Sequence, residues 1–219
     1  MGAHIFNIGE GLDASFDPVH TDEKILADLD PFFPLIDPSK KDSMLEVIRK
    51  ASEDQTSVGG VVECAITGMP AGIGEPFFDS AESMTAHLLF SVPGVKGVEF
   101  GAGFKLAAMR GHEANDSIFV ENGRVQTRTN HAGGINGGLT NGMPIIVRAV
   151  FRPVSSISRE QETIDILSMQ NTKCRVAGRH DACIVPRAVV VVEAMCALAV
   201  LDLMGRIGNG IGRASRQDR

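Results

Sequence analysis

Three ionisable side chains stand next to one another in the stretch "AGRHDACIVPRAVVVVEAM", residues 177–195. Arg179, His180 and Asp181 come directly before a long, mostly apolar run. A cation, an imidazole and a carboxylate at the edge of a buried segment can ligate a metal, act as an acid–base or nucleophile pair, or bind an anion. The rest of the chain bears on which of these three kinds of site is present.

The segment "FRPVSSIS" favours an anion-binding site. Arg152 is followed by a proline and two hydroxyl side chains, Ser155 and Ser156, which can hold a phosphate through charge and short hydrogen bonds. The preceding loop, "HAGGINGGLTNG", has five glycines within ten residues, and their amides can line an anion or a flat ring. Together with Arg179, these segments predict a site for a phosphorylated ligand.

A metal site is the second interpretation, and it would draw on scattered donors: His112, Glu113, His131, His180, Asp181 and Cys183. No pair among them has the His-x-x-x-His or Cys-x-x-Cys spacing that places two ligands on one face. A nucleophile pair of Cys183 and His180 is the third interpretation. Cys183 borders an apolar run, where a thiol is usually a small buried hydrophobe.

The elements that must position these residues follow no regular β-α-β alternation. The hairpin over 118–127 has the turn signal Asn122-Gly123, and a capping box formed by Asp79 and Glu82 predicts a helix to about Phe90 with Met84, His87 and Leu88 on one face. Further predicted strands are 4–8, 61–67, 95–100, 144–151 and 163–167; further predicted helices are 21–29, one beginning at Pro38, 104–110 and 185–204. We therefore expect an α+β fold with antiparallel sheets packed on helices.

Composition narrows the class of protein. The 219 residues carry a net charge of −6, which disfavours non-specific binding to nucleic acid or to acidic membranes. Four cysteines without a Cys-x-x-Cys pair, and no secretory signal peptide, predict a reduced, cytoplasmic protein. Charges at Arg187, Glu193 and Asp202 argue against a membrane span over 185–204. We expect one domain over 1–204 and a mobile basic tail over 205–219.

Four segments carry a specific resemblance: "GMPAGIGEPFFDS", "SVPGVKGVEFGAGF", "TNHAGGINGGLTNGMPIIVRAVFRPVSSI" and "GRHDACIVPRAVVVVEAM". In order and spacing they resemble the chorismate synthase family, most strongly over 59–204. The resemblance implies a β-α-β sandwich, with helices between antiparallel sheets, assembled as a homotetramer. It also implies a lyase of the shikimate pathway that needs reduced FMN. Such enzymes convert 5-enolpyruvylshikimate 3-phosphate to chorismate by loss of phosphate and a ring proton.

The resemblance also implies roles for individual residues. Asp181 matches an acidic residue that handles the substrate proton, and Arg179 matches a residue near the flavin and the substrate anions, with His180 between them structural. Asn130 and His131 match neighbours of the site. The positions matching FMN contacts are Pro93, Gly94, Gly137, Arg179 and the phosphate-binding segment Arg152, Pro153, Val154, Ser155 and Ser156; the family often has Lys at the position of Arg152.

The family's N-terminal part, with two functional histidines, several substrate-binding arginines and an Arg-Ser-Ser flavin motif, has no counterpart in this sequence. We therefore expect the chain to correspond to the C-terminal portion of the enzyme. The alternative to an active enzyme is a catalytically incomplete fragment that retains the fold, subunit-interface capacity and partial flavin binding.

Overall fold

The computed structural model describes the backbone of residues 1–217 and the side chains of residues 1–206. The strands are β1 Gly2–Ile8, β2 Gly11–Leu12, β3 Gly60–Ile66, β4 Val95–Phe100, β5 Ile118–Glu121, β6 Arg124–Thr127, β7 Ile135–Asn136, β8 Leu139–Thr140, β9 Ile145–Phe151, β10 Gln161–Asp165 and β11 Gln170–Cys174. The α-helices are α1 Glu23–Asp28, α2 Lys41–Glu53, α3 Ala81–Ser91, α4 Gly111–Ala114 and α5 Val185–Gln217; Pro38–Lys40 and Gly103–Ala108 form 3-10 turns. The expected tail over 205–219 falls mostly outside the described side chains and stays a prediction.

A five-stranded antiparallel sheet, in the order β2-β1-β3-β9-β4, forms the centre of the fold. Helices α3 and α5 pack side by side against it. Apolar side chains that alternate along the strands, such as Val62, Cys64 and Val147, form the core with Val192 and Cys196 of α5. The predicted α+β class, with antiparallel strands packed on helices, is confirmed.

The opposite face of the sheet carries a row of charged side chains, which we call the charge row: His4, Glu63, Arg148 and Glu99. They stand directly opposite one another on β1, β3, β9 and β4, so that the formal charges alternate across four strands. Because side chains alternate between the two faces of a strand, this row is separate from the helix-covered core. The sequence analysis did not predict it.

Hydrogen bonds join the members of the charge row to one another and join His4 to Asp13, which follows β2. His4 Nε2 lies 2.9 Å from Glu63 Oε2, and His4 Nδ1 lies 3.0 Å from a carboxylate oxygen of Asp13. Arg148 donates to the other oxygen of Glu63 at 2.8 Å and to Glu99 at 3.2 Å. Each buried charge therefore has an opposite partner, which is the condition under which ionised groups are tolerated away from water.

The pKa values of His4, Glu63 and Asp13 are shifted by these contacts. Burial lowers the pKa of His4, but the hydrogen bonds to Asp13 and Glu63 outweigh it and raise the pKa above its ordinary value. Burial raises the pKa of Glu63, and the bond to His4 and the charge of Arg148 outweigh that effect and lower it. The pKa of Asp13 is lowered in the same way, chiefly by its bond to His4. The contacts thus favour the ionised forms of all three groups.

Most of the predicted elements are confirmed, with differences of one or two residues at their ends. The helix predicted over 185–204 continues to Gln217, and the helix predicted from Pro38 begins with the 3-10 turn Pro38–Lys40 before α2. The hairpin turns at Asn122 and Gly123, both with positive φ. The predicted helix over 104–110 is instead the 3-10 turn Gly103–Ala108. Sequence analysis missed β11, whose segment "QNTKC" lacks apolar alternation.

The capping box predicted for α3 begins one residue too early. Ser80 caps the helix, and its side chain accepts a hydrogen bond from the amide of Ser83, so Asp79 does not begin a capping box. The helix buries Ala81, Thr85 and Leu89, and the face with Met84, His87 and Leu88 is half-buried or exposed. The position of the cap and the packing against α5 and β4 decide which side of the helix faces the core.

Helix α5 is long and apolar enough over Val185–Arg206 to cross a membrane by length and composition, with a mean hydropathy of 2.1. One side of it, including Val185, Val189 and Val192, is buried in the core. A core helix of a folded domain meets the same criteria of length and composition.

Candidate functional site

The C-terminal end of β9 brings several of the predicted site residues together. Val95, at the start of β4, pairs with Phe151, at the end of β9, so that Gly94 and Arg152 meet at one edge of the sheet. The amide of Arg152 donates to the carbonyl of Gly94 at 2.9 Å. Gly94 has a φ of +91°, and a Cβ there would approach Ile184 Cδ1 at 3.3 Å. A glycine is therefore suited both to this turn and to its close packing.

The loop before β3 forms hydrogen bonds with both segments of the candidate site, 152–156 and 179–182. Ser57 Oγ donates to the carbonyl of Val154 at 2.6 Å, and the amide of Val58 donates to the carbonyl of Ala182 at 2.8 Å. The segment 152–156 and the segment 179–182 are thereby held by two consecutive residues. The structure thus holds side by side two segments that the sequence analysis assigned to one ligand site.

A cleft of about 220 Å³ lies beside these segments. Its lining comprises Ser52, Gln55, Thr56, Ile157, Ser158, His180 and Ala182. His180 is half-buried, and its Nε2 lies 3.2 Å from the carbonyl oxygen of Val176, so its ring is fixed by the backbone. The side chains that line the cleft are mostly polar and uncharged.

Arginines supply the charge at this edge. Arg152 uses its guanidinium only for a 3.2 Å bond to the carbonyl of Pro153, and within residues 1–206 Arg179 makes no hydrogen bond or ion pair. Both side chains are exposed. Arg175, which sequence analysis missed, bonds the carbonyl of Ser158 and the side chain of Gln55 at the cleft. Exposed guanidinium groups next to hydroxyls are suited to an oxyanion.

The carboxylate of Asp181 forms an ion pair with Arg187, in the first turn of α5. Both side chains are more than half exposed to solvent, so the pair is solvated and contributes little to the stability of the fold. Arg187 was considered in the sequence only as a charge within an apolar segment. Its position six residues after Asp181, just inside a helix start, is the signal that could have identified the pair.

Gly137 does not join the cleft. It lies with Gly138 in the turn between β7 and β8, where both residues have positive φ, as a type I′ hairpin turn requires. This hairpin precedes β9, whereas Arg152 follows it, and a strand of seven residues spans about 20 Å. Within one chain, the glycine loop and the segment 152–156 therefore lie at opposite ends of β9.

Asn130 and His131, at the start of the glycine loop, form hydrogen bonds within the fold. The side chain of Asn130 donates to the carbonyls of Pro18 and Pro144 and accepts from the amide of Gly134. The amide of His131 donates to Asp116. These bonds hold the start of the loop against the sheet.

The donors of the metal interpretation do not come together. Among residues 1–206, no three His, Cys, Asp or Glu side chains are placed to share a metal ion. Cys183 is half-buried, and burial raises the pKa of its thiol, which disfavours the thiolate needed of a nucleophile or ligand. The geometry thus favours the anion-binding interpretation over the other two.

A family model and two curated proteins that are similar to this chain have the same description. A family model described as Chorismate synthase matches residues 1–204. The chorismate synthase of Chitinophaga pinensis is 53% identical over 148 residues, which are 68% of this chain and 44% of that protein. The chorismate synthase of Thermococcus gammatolerans is 47% identical over 180 residues, 82% of this chain and 50% of that protein.

A solved structure is also similar. The fold matches one described as "Crystal Structure of Chorismate Synthase" with a TM-score of 0.72 and 26% identity, covering 92% of this chain and 55% of that chain. The chain spans about half the length of the curated relatives that it matches.

Proposed function

This chain belongs to the chorismate synthase family, and we propose that it forms the flavin-side part of a chorismate synthase active site. The reaction would be elimination of phosphate from 5-enolpyruvylshikimate 3-phosphate to give chorismate, with reduced FMN as cofactor. One observation carries the proposal: Gly94, the segment 152–156 and the segment 179–182 meet at one sheet edge and present exposed guanidinium groups there.

The donor set at this edge fits the phosphate of FMN. Arg152 supplies a cation that has no acidic partner among residues 1–206, and Ser155 and Ser156 are exposed hydroxyl donors in the same segment. Bonds from a guanidinium and from hydroxyls to phosphate oxygens are charge-assisted and are stronger than neutral ones. At Gly94 the missing side chain leaves backbone accessible beside Ile184.

The residues of segment 179–182 would act on the substrate. When bound, reduced FMN would supply the electron density that loss of the phosphate requires. Arg179 would bind an anionic group of the substrate, since its guanidinium has no partner among residues 1–206. Asp181 would accept the ring proton at its carboxylate, and Arg187 would hold that carboxylate in place until then. We further propose a cytoplasmic homo-oligomer, tetrameric as the family resemblance implies, with residues 1–204 as one domain.

The second candidate function is flavin binding without turnover, and it is favoured by the position of Gly137. Gly137 lies before β9 and the cleft segments lie after it, so a strand about 20 Å long separates them and leaves the set incomplete within one chain. The two candidates make different predictions for the same protein.

An anaerobic titration tests the proposal. Reduced FMN is titrated into the wild-type chain and into R152Q, with R124Q at the β5–β6 turn as a control of equal charge change; chorismate formation is followed in parallel. We expect R152Q to weaken FMN binding by about 10-fold to 100-fold and R124Q to leave it unchanged. Binding with turnover supports the enzyme, and binding without turnover supports the second candidate. Equal binding by R152Q and wild type would remove the phosphate assignment.

A further inference from the structure

A two-stranded arm, residues 158–175, separates the two segments of the candidate site along the chain. Segment 152–156 comes just before the arm, and segment 179–182 comes just after it. Strands β10 and β11 form a sheet of their own, and their side chains are almost all exposed. A two-stranded hairpin by itself is at best marginally stable in water. The contacts at the base of the arm therefore decide how firmly both segments are held.

Arg175 closes the base of the arm. Its Nε donates to the carbonyl oxygen of Ser158, on the opposite side of the base, at 2.6 Å. Its Nη2 donates to Oε1 of Gln55, just past the end of α2, at 2.9 Å. One guanidinium thus joins the two ends of the arm to each other and to a helix of the domain. A guanidinium is suited to this because its donors have a fixed, planar geometry.

Gln55 has a backbone conformation that is unusual for a residue with a side chain. Its φ is +54°, and it directly follows Asp54, the C-cap of α2. Glycine is the usual residue at this position, because it adopts positive φ without steric cost. Costly backbone conformations of this kind cluster at functional sites. The bond from Arg175 to the side chain is a reason for a glutamine at position 55.

The turn after α2, residues 55–58, also contacts the two segments of the site. Ser57 Oγ donates to the carbonyl of Val154, and the amide of Val58 donates to the carbonyl of Ala182. The turn therefore holds the base of the arm and both segments together. A shift of the arm base would change the position of Val154 and of the hydroxyl side chains that follow it.

We propose that Arg175 is a positioning residue for segment 152–156. Together with Gln55 it fixes the base of the arm, so that Arg152, Ser155 and Ser156 are ordered before the phosphate of FMN binds. This inference rests on the proposed function. Preorganised donors bind more tightly because less conformational entropy is lost on binding. The bonds of Arg175 are exposed, so their loss should have little effect on the stability of the fold.

The dynamics of the cofactor-free chain test the positioning by themselves. NMR order parameters of the amides over 154–158 should be about 0.85 in the wild type and should fall below about 0.6 in R175M. Q55G keeps the charge of Arg175 and suits the positive φ, but it removes the partner of the guanidinium, and it should lower them as well. The control is K173M, which removes an exposed 2.7 Å ion pair with Glu160 in the same arm; it should leave the order parameters unchanged.

Flavin titrations show whether this order affects binding of the phosphate. Reduced FMN and reduced riboflavin, which lacks the phosphate, are titrated anaerobically into the wild type and the three variants. R175M and Q55G should raise the FMN dissociation constant about 5-fold to 10-fold and the riboflavin constant less than about twofold, with melting temperatures that are not lowered. K173M should bind both flavins as the wild type does.

Three results would overturn the positioning role. The first is unchanged order parameters in R175M, and the second is an equal loss of affinity for FMN and riboflavin. The third is a loss of FMN affinity in R175M but not in Q55G, because Arg175 would then act through its charge. A wild-type chain that binds no FMN would overturn the proposed function and with it the phosphate role, whereas the order parameters would still decide whether Arg175 fixes the segment.

Discussion

The imidazole of His4 lies between two buried carboxylates, with Nε2 2.9 Å from Oε2 of Glu63, its directly opposite partner on β3. The other ring nitrogen is 3.0 Å from Asp13, and all three side chains have no exposed surface. Both nitrogens face acceptors, so only the doubly protonated, charged ring can donate on both sides. The fold therefore holds a cationic histidine away from water.

This arrangement predicts how stability depends on pH. The folded pKa of His4 is raised above its ordinary 6.5, so its contribution is complete below about 6.5 and is lost as the pH rises through the folded pKa. The pKa values of Asp13 and Glu63 are lowered from 3.8 and 4.5, so their contribution is complete above about 4.5 and is lost on acidification. Urea unfolding from pH 3 to 9 should show the row's largest contribution between about 4.5 and 6.5.

The variant H4Q tests the origin of the alkaline decline. Glutamine cannot carry the positive charge, so the variant should lose several kcal/mol near pH 6 and should show a shallower decline above it. H20Q is the control, because His20 is exposed on the surface. If H4Q and the wild type kept the same alkaline slope, the charged histidine would not be its source.

Arg148 should be far more important for stability than a surface arginine with as many ion pairs. Its side chain is 12% exposed, and R148M would leave Glu63 buried without its guanidinium partner, at a cost of about 3–5 kcal/mol. Arg206 also contacts two carboxylates but is 37% exposed, and R206M should cost less than about 1 kcal/mol. Chemical denaturation of both variants at pH 6 measures the difference; equal losses would contradict the importance given to burial.

The sequence predicted the sheet and helices well, because hydrophobic alternation and turn residues are local signals. Strand β9 and the Asn122-Gly123 hairpin are examples. The charge row had no such signal: His4 and Glu63 are 59 residues apart, and Glu63 and Arg148 are 85 apart. Only strand order and register bring them together. The distance between Gly137 and Arg152 was missed for the same reason, since adjacent segments can lie at opposite ends of one strand.

Gly60 should tolerate no side chain. A Cβ at this position would overlap the carbonyl oxygen of Asn7 on the neighbouring strand, and the contact is with backbone, which cannot move aside cheaply. G60A should therefore destabilise the fold by about 2 kcal/mol or more. In G111A the new Cβ meets nothing within 4 Å, and the variant should be as stable as the wild type. Thermal melts of the two variants make the comparison; a neutral G60A would mean that β1 and β3 are not paired in this register.

Asp181 should affect turnover rather than cofactor affinity. Under the proposed function, D181N removes the proton acceptor but keeps the size of the side chain, so chorismate formation should fall by about 100-fold or more. The dissociation constant of reduced FMN should change less than threefold, about the difference expected for one exposed charge. The measurement uses a chorismate synthase of the family that shows turnover, with the equivalent position changed. A large loss of FMN affinity with normal turnover would assign Asp181 to the cofactor instead.

The charge row also constrains how the sequence can change through evolution. Glu63 forms hydrogen bonds with His4 on one neighbouring strand, with Arg148 on the other and with the amide of Phe16. A single substitution at position 4, 63 or 148 therefore leaves at least one buried group without its hydrogen-bond partner. A lineage that loses the histidine should also neutralise Glu63, and Arg148 would then keep only Glu99 as an acidic partner in the charge row. These three positions, far apart in the chain, should therefore co-vary among homologues.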